Sequence, residues 1–550
     1  MSASHTPYAQ WHHPYTPAKA FKKRAAYFSM EFAVDQGLKI YSGGLGFLAG
    51  SHLKSAFDLK QNMIGIGMLW SYGYYNQNRH EDGSMRAEFI AKHYSFLQDT
   101  GIQVQVTIND NPNVHVRAYV LSPEIFGTVP LYLLSTDVPE NDHLSRTITA
   151  RLYDANDDTR ISQNIVLGIG GAKVVEALGG ADIYHLNEGH ALPAFYYLRD
   201  RGIGENQRVF TTHTPEAGGN VVRNGYMLNQ RGFFGRVLRP DELQEELVGD
   251  QLNFTEAALR LSRKANAVSK LHAEVARGMW QPFGQNHKII PITNAQHAPS
   301  WTDSILRSAF EKKNTARFRK RKKELKATLF REVLDQCGKV FDPDVITIVW
   351  ARRFAAYKRA DLLLRDWEAF EALLSNTEHP VQIIWAGKPY PFDYEAINVF
   401  NRLIQTSISR PNLAVLTGYE LGLSKLLKDG SDIWLNTPRI TREASGTSGM
   451  TAAMNGSVNL SVNDGWIPEF GKDGENAFVL PEADYMTPHS VQDDFDCANL
   501  YKSLTTQVLP SYYDSPQQWD DIVFQAMQEV VPEFSSHRMA TAYYEELYRE

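Results

Sequence analysis

The sequence predicts an α/β fold built on parallel sheets, and two observations carry this prediction. Short, almost uninterrupted apolar runs recur along the chain, and segments of helical periodicity separate them. A strand without polar alternation is typical of a parallel sheet covered by helices on both faces. The clearest runs are VITIVWA (345–351), VQIIWAG (381–387), LAVLTG (413–418), DIWLN (432–436) and VNLSV (458–462).

The first half of the chain shows the same rhythm less cleanly, which indicates a second α/β unit with insertions. Its helical patterns cover residues 160–178 and 255–280. Its predicted strands are AAYFSMEF (25–32), ADIYHL (181–186) and RVFTTHT (208–214).

A turn-rich segment, KIIPITNAQHAPSW (288–301), separates the two halves and predicts a domain boundary. We therefore expect an N-terminal α/β domain over 1–295 and a Rossmann-like domain over 296–510. The helical pattern beyond it, 511–550, is expected to pack back towards the N-terminal domain.

Composition excludes several classes of protein. The 550 residues include 56 basic and 63 acidic side chains, a formal charge of −7, which gives no reason to expect a nucleic acid or a membrane as partner. The basic stretch 312–331 has a helical pattern typical of a solvated face, with contact with a polyanion as the alternative. The two cysteines, Cys337 and Cys497, lie far apart and form no metal-binding pattern, so we expect no metal and a reducing, cytoplasmic location.

Basic residues follow the predicted strands of the second half. Arg353 and Lys358 come after VITIVWA, Lys388 follows VQIIWAG, and the small-residue loop Ser445-Gly446-Thr447-Ser448-Gly449 comes after DIWLN. Ligands of parallel sheets bind beyond the carboxyl ends of the strands. The pattern therefore predicts an anion site at this edge, although such a loop taken alone is more often an ordinary helix cap.

In the first half, polar residues again follow predicted strands. Asn187, Glu188 and His190 come after ADIYHL, and His213 lies at the end of RVFTTHT. A lone histidine is more often structural than catalytic. The turn Gly43-Gly44 is a further candidate anion cradle, with a simple tight turn as the alternative.

Several segments, read together, resemble one family, the α-glucan (glycogen, starch and maltodextrin) phosphorylases of glycosyltransferase family 35. The matching segments occur in family order over about residues 26–470, and EASGTSGM is the most specific of them. They are YFSMEF (27–32), IYSGGLGFLAG (40–50), GIGMLWSYGYYNQ (65–77), YHLNEGHA (184–191), FTTHTPE (210–216), ITN (292–294), RRFAAYKR (352–359), WAGKPYP (385–391) and EASGTSGM (443–450).

The resemblance implies two Rossmann-like domains in a GT-B arrangement, with the active site in the interdomain cleft. It implies a hexosyltransferase that acts with retention on α-1,4-glucans such as glycogen or maltodextrin, with phosphate and glucose 1-phosphate as partners and a homodimer as the assembly. The catalytic positions it implies are Arg353, Lys358, His213 and Glu443. The substrate-binding positions are Gly43, Gly44, Asn187, Glu188, His190, Asn294, Lys388, Ser445, Gly446 and Thr447.

One position departs from the family pattern. Thr451 stands where the phosphorylases have the lysine that forms a Schiff base with pyridoxal phosphate, and a hydroxyl cannot form an imine. We therefore expect no covalently bound pyridoxal phosphate, with non-covalent binding as an alternative. Lys428 and Lys472 are both about twenty residues away in sequence, so only the fold could bring a substitute lysine to this position.

Three functions remain open at the level of sequence. The chain is a phosphorylase that holds its cofactor without a covalent bond, or a transferase that uses a nucleotide sugar without the cofactor, or a non-catalytic protein that binds glucan or regulates a partner. Retention of Arg353, Lys358, Glu443 and His213 argues against the third, because a pure binder needs no anion site.

Overall fold

The computed structural model describes residues 6–549, which divide into two compact units. The first comprises the described residues up to Tyr74, Phe89–Thr293 and the described residues from Met539 on; the second comprises Tyr75–Glu88 and Asn294–Arg538. The boundary after Thr293 lies close to the expected one at 295. Of the C-terminal helical segment, residues 511–538 belong to the second unit, and the described residues from Met539 on belong to the first.

The strands alternate with helices along the chain. In chain order they are β1 (Ala25–Phe28), β2 (Met63–Met68), β3 (Asn76–Arg79), β4 (Met85–Glu88), β5 (Gln98–Ile108), β6 (Asn111–Leu121), β7 (Leu131–Ser135), β8 (Ile183–Asn187), β9 (Arg208–Thr211), β10 (Val222–Asn224), β11 (Gln251–Asn253), β12 (Lys264–Ala267), β13 (Ile289–Pro291), β14 (Ile346–Ala351), β15 (Val381–Ala386), β16 (Leu413–Leu416), β17 (Ile433–Asn436), β18 (Val458–Val462) and β19 (Ala477–Leu480).

The helices cover the faces of the sheets. In chain order they are α1 (Gly44–Asp58), α2 (Pro123–Phe126), α3 (His143–Arg146), α4 (Asp157–Ile165), α5 (Gly171–Ala177), α6 (Pro193–Asp200), α7 (Gly225–Gln230), α8 (Pro240–Glu246), α9 (Phe254–Leu261), α10 (Lys270–Trp280), α11 (Ala298–Trp301), α12 (Ser304–Glu311), α13 (Thr315–Cys337), α14 (Trp367–Leu374), α15 (Tyr394–Ile408), α16 (Leu421–Gly430), α17 (Thr447–Ala453), α18 (Ile467–Phe470), α19 (His489–Ser503), α20 (Leu509–Tyr513), α21 (Pro516–Phe534) and α22 (Ser536–Ala542).

The second unit is built on a six-stranded sheet in the order β16-β15-β14-β17-β18-β19, and all of its pairs are parallel. Counted from β14, this is the order 3-2-1-4-5-6 of a Rossmann sheet. The five apolar runs that predicted strands here all form strands. Trp350, Trp385 and Trp434 are fully buried on three of them, because both faces of the sheet are covered.

The first unit contains a nine-stranded sheet in the order β13-β12-β9-β8-β1-β2-β7-β6-β5. Strands β13 to β7 in this order are parallel, and the hairpin β5–β6 extends the sheet beyond β7 through antiparallel pairs. In the parallel part, β2 and β7 lie on one side of β1, and the later strands β8, β9, β12 and β13 lie on its other side. The strand order therefore reverses between β1 and β8. Both units therefore have the topological switch point at which α/β sheets bind ligands.

Two sequence predictions need correction. The helix predicted over 255–280 is two helices, α9 and α10, separated by strand β12, because Ala265 and Ala267 are fully buried in the sheet. The basic stretch in α13 is only partly solvated: Lys322 and Lys326 are buried, and the Lys326 ammonium pairs with Asp432.

Helix α21 belongs to the second unit because its apolar face is buried there. Ile522, Val523 and Met527 pack in the core that contains the β14 and β15 side chains. Ala526 and Val530 pack with Met450 of α17. Between residues 6 and 549, no helix combines the length and apolar character needed to cross a membrane.

Candidate active site

In the first unit, β1 and β8 meet at the switch point, and the residues that follow them are in contact. The Asn187 amide at the end of β8 donates to the Ser29 hydroxyl just after β1, with 3.2 Å between the atoms. Asn187 is 1% exposed. A predicted substrate-binding residue thus lies where the topology predicts a ligand.

His213 is joined to Asn187 through its side chain. Its Nε2 lies 2.7 Å from the Asn187 Oδ1. Burial lowers the pKa of His213 to about 3, so the imidazole is neutral at physiological pH. Because the Asn187 oxygen only accepts, Nε2 carries the proton and Nδ1 is the acceptor nitrogen of the ring.

Glu188 fixes the backbone of the same loop. Its Oε2 accepts the backbone N–H of His213 at 2.8 Å and the Thr214 hydroxyl at 3.3 Å. Glu188 has a φ of +71°, a conformation that non-glycine residues adopt only when surrounding contacts impose it. Burial raises the pKa of its carboxyl. The structure therefore places Asn187, Glu188 and His213 in one hydrogen-bonded group.

His190 lies on the segment after Glu188, and its imidazole is also kept neutral. Burial lowers its pKa to about 4. Its Nδ1 is buried and has no hydrogen-bond partner within residues 6–549.

The turn at Gly43 and Gly44 is held by a carboxylate that sequence reasoning did not identify. The Glu31 Oε2 accepts the backbone N–H of Ser42 at 2.6 Å and that of Gly43 at 3.1 Å, and Tyr153 donates to Oε1 at 2.7 Å. The Gly43 N–H is therefore committed to Glu31 instead of being open to an anion. Gly44 begins α1.

In the second unit, the switch point lies between β14 and β17, and two predicted site residues, Glu443 and Lys358, meet there with Arg352. The Glu443 carboxylate lies 2.7 Å from the Lys358 ammonium and 3.3 Å from Nη1 of Arg352. Burial by itself would raise the pKa of Glu443, but the charges of Lys358, Arg352 and Arg353 outweigh it and hold the pKa below its usual 4.5.

Arg352 is the residue with the strongest indication of a ligand. Its guanidinium is 6% exposed, and within the described part of the chain Nε and Nη2 have no hydrogen-bond partner. A buried cation with unused donors is costly unless an anion completes it. Sequence reasoning assigned this role to Arg353 and Lys358; Arg353 is exposed in the structure, and its charge also acts on Glu443.

Asp464 positions the loop that carries Glu443. Its Oδ2 accepts the backbone N–H of Glu443 at 2.9 Å, and its Oδ1 accepts that of Gly465 at 2.8 Å. Burial raises the pKa of Asp464 to about 7, although these N–H groups favour the charged form. No sequence pattern identifies this residue, because its role is set by backbone contacts between distant segments.

The small-residue loop before α17 is tied to the segment at Trp466 by a backbone hydrogen bond. Gly446 has a φ of +91°, and the Ser445 carbonyl accepts the N–H of Trp466 at 2.9 Å. The Ser445 hydroxyl is buried and, among residues 6–549, finds no partner. Thr447 is the first residue of α17.

Two further predicted substrate-binding residues differ in their surroundings. Lys388 is 4% exposed, and its ammonium donates to the Tyr75 carbonyl at 2.9 Å and to Glu420 at 3.1 Å, so it anchors the β3 segment. Asn294 is 4% exposed, and its Oδ1 has no partner in the described residues.

The residue at the family's cofactor position does not fit a covalently held cofactor. The Thr451 side chain is fully buried, and its hydroxyl donates to the Ser448 carbonyl of its own helix at 3.0 Å. It offers neither an amine nor a free nucleophile.

The chain is similar to carbohydrate phosphorylases. The family model described as "Carbohydrate phosphorylase" matches residues 296–480. The chain is 46% identical to an uncharacterized protein of Methanocaldococcus jannaschii, over 96% of this chain and 100% of that protein.

Two relatives have named activities. A glycogen phosphorylase of Mycobacterium tuberculosis is 34% identical, over 96% of this chain and 71% of that enzyme. A maltodextrin phosphorylase of Thermococcus litoralis is 33% identical, over 99% of this chain and 71% of that enzyme. The chain therefore belongs to the α-glucan phosphorylase family.

Proposed function

We propose that the protein is a retaining glucosyltransferase that acts on α-1,4-glucans. Arg352, Lys358 and Arg353 hold the anionic group that leaves glucose, and both units serve one transfer reaction, as the GT-B arrangement of the family implies. Two free cysteines, Cys337 and Cys497, agree with a reducing, cytoplasmic setting.

The observation that carries this proposal is the buried Arg352 guanidinium. Three cations act on Glu443, the carboxylate that pairs with two of them, so positive charge remains in excess at the carboxyl end of β14. Nε and Nη2 of Arg352 suit two oxygens of a phosphate. The bound anion would offset the positive charge that develops on the sugar in an oxocarbenium-like transition state.

The neutral His213 supports the sugar side of the reaction. A neutral imidazole held by Asn187 can exchange hydrogen bonds with sugar hydroxyls without introducing a charge. Such a group suits recognition of an uncharged substrate. Buried polar atoms without a partner at His190 and Asn294 are consistent with the same role.

A nucleotide sugar is the second candidate donor, and Thr451 favours it. A threonine at position 451 cannot hold pyridoxal phosphate covalently. The basic residues at the strand end can stabilise a diphosphate leaving group as well as a phosphate. A phosphorylase that holds pyridoxal phosphate non-covalently stays the alternative within the family.

The test compares two reactions of the purified chain. One measures release of glucose 1-phosphate from maltodextrin and phosphate, with and without added pyridoxal phosphate. The other measures glucan extension from UDP-glucose or ADP-glucose. We expect turnover in one of the two reactions, and the reaction that proceeds identifies the donor.

The variant Arg352→Met keeps the length of the side chain but removes its charge, and it should abolish that turnover. Lys323→Met is the control, since Lys323 is exposed and pairs with the exposed Asp344. No turnover in either reaction, with maltodextrin binding intact, would contradict the proposal and favour the non-catalytic function.

A further inference from the structure

Two segments form the anion site of the second unit, one that follows β14 and one that follows β17. The first carries Arg352 and Lys358, and the second carries Glu443. The pairing of β14 with β17 ends at Val349 and Trp434, three residues before Arg352 and nine before Glu443. The strand ladder therefore does not fix the distance between these charged groups, and other contacts must do so.

Arg359 joins the two segments through its side chain. It follows Lys358 directly, and its Nε and Nη2 donate to the carbonyls of Thr437 and Pro438, at 2.8 and 2.7 Å. The φ of Arg359 is +48°, a conformation that a non-glycine residue keeps only when its contacts hold it there. Because the side chain is 3% exposed, these hydrogen bonds are shielded from water.

Further contacts belong to the same junction. The Thr437 hydroxyl lies 3.1 Å from the carbonyl oxygens of both Lys358 and Arg359. The backbone N–H of Arg439 donates to the Tyr357 carbonyl at 2.8 Å. All three residues from Tyr357 to Arg359 therefore take part in the contact with the segment after β17.

Helix α19 compensates the positive charge of Arg359. Nη1 pairs with Asp493 at 2.9 Å, and Nη2 pairs with Asp496 at 2.6 Å. With the two carbonyls, these contacts use four of the five N–H groups of the guanidinium. In Arg352, by contrast, Nε and Nη2 have no partner among the described residues. Arg352 can therefore bind an anion, whereas Arg359 is bound within the protein.

We propose that Arg359 is a positioning residue of the anion site. It fixes how far Arg352 and Lys358 lie from Glu443, and it thereby sets the affinity of the site for an anion that it does not itself contact. Binding groups must keep their positions to within about 0.5 Å for a site to work. This role rests on the anion site of the proposed function and does not require glucosyl transfer.

The shape of the guanidinium, and not only its charge, is needed for this role. Its planar fork reaches two carbonyls and two carboxylates at once, whereas a lysine ammonium is a compact point charge. Arg359→Lys therefore keeps a positive charge near Asp493 and Asp496 but cannot also hold the segment after β17. A role limited to charge balance would survive this substitution, and a positioning role would not.

The experiment measures sulfate binding to the whole protein by isothermal titration calorimetry at pH 7, where the charge of sulfate is constant. The unchanged protein should bind sulfate, and Arg352→Met should not. Arg359→Lys should bind it about 10–100-fold more weakly, the range typical of residues that orient the ligating side chains of a site. Circular dichroism establishes that each variant is folded at the temperature of the titration.

Arg365→Lys is the matched control. Arg365 also binds α19, through Asp494 at 2.6 Å and the Ser490 carbonyl at 3.0 Å, and its sulfate affinity should be that of the unchanged protein. If Arg359→Lys does not fold, Thr437→Val removes a hydroxyl from the same junction and should weaken sulfate binding in its place.

Two kinds of result would overturn the positioning role and leave the anion site in place. One is an unchanged sulfate affinity in the folded junction variant, and the other is an equal loss in Arg365→Lys. No sulfate binding by the unchanged protein, or binding that survives Arg352→Met, would contradict the anion site itself and with it the role of Arg359.

Discussion

The Glu443 carboxylate and the Lys358 ammonium form a buried ion pair, with 2.7 Å between the atoms and 12% of each side chain exposed. Arg352 shares the same carboxylate. The Glu443 carboxylate therefore pairs with two positively charged side chains at the carboxyl end of the second unit's sheet. Removing that anion and removing a cation should have different consequences.

Glu443→Gln should destabilise the protein by about 3–5 kcal/mol, because it leaves buried cations without their carboxylate. Chemical denaturation at pH 7 measures this. The folded pKa of Glu443 lies below 4.5, so its stabilisation is present above about that pH and lost as the pH falls through the folded value. The difference between variant and unchanged protein should therefore shrink in acid.

The control for this prediction is Glu324→Gln, which removes a half-exposed partner of Arg321. An exposed pair contributes at most about 1 kcal/mol. Equal losses in the two variants would contradict the assignment of Glu443 to a buried charge cluster.

Arg353→Ala should lower kcat/KM by about 10²–10³-fold, the effect typical of losing one electrostatic contact to the transition state. Its side chain is exposed, so the free energy of unfolding should change little. Steady-state kinetics with the active donor, alongside a thermal melt, separate the two effects. Unchanged turnover would remove Arg353 from the anion site.

Asp464→Asn should alter how stability depends on pH. The pKa of Asp464 is raised to about 7, so its favourable contribution is complete below about 3.8 and is lost as the pH rises through 7. Asparagine does not titrate. Unfolding measured at pH 5 and pH 8 should show a smaller fall in stability for the variant, and an unchanged fall would place the titration elsewhere.

His213 should stay neutral between pH 5 and 8. With a pKa near 3, it should show no protonation between pH 5 and 8 in NMR spectra of the histidine ring nitrogens, and Nε2 should carry the proton. A transition near pH 6.5 would contradict the buried hydrogen bond to Asn187. Asn187→Ala, which removes the acceptor, is the informative comparison.

Gly46→Ala should cost about 1–3 kcal/mol, since a Cβ there would lie 2.6 Å from the Cβ of Tyr41 and 2.8 Å from the Glu31 Oε2. Gly44→Ala meets no atom within 4 Å and begins a helix, so it should be neutral or slightly stabilising. Thermal melts of the two variants test this. Equal destabilisation would contradict the packing of the turn against Glu31.

Much of the fold could be predicted because parallel strands leave a strong local signal. The runs that form β14 to β18 are apolar on both faces, so each can be recognised as a strand from its own residues. Strand β12 was missed because its four residues lie between two amphipathic helices, so the helical pattern runs through it. Only its pairing with β9 and β13 fixes it as a strand.

The candidate site was partly predictable for the same reason. Lys358 and Glu443 lie on the segments that follow β14 and β17, and the switch-point rule brings the ends of these strands together. Glu31 and Asp464 could not be found this way, because each acts by accepting backbone N–H groups from another segment. Lys388 was assigned to the substrate because its sequence position gives no sign of its contacts with Tyr75 and Glu420.

The sequence by itself determined the fold class, the family and the absence of an amine at position 451, since all three are written in local patterns of residue type. The tertiary structure decided which charges are compensated: it left two donors of Arg352 without a partner among the described residues, and it committed the Gly43 N–H to Glu31. Burial and charge act through space, so they follow the packing of helices and not the order of residues along the chain.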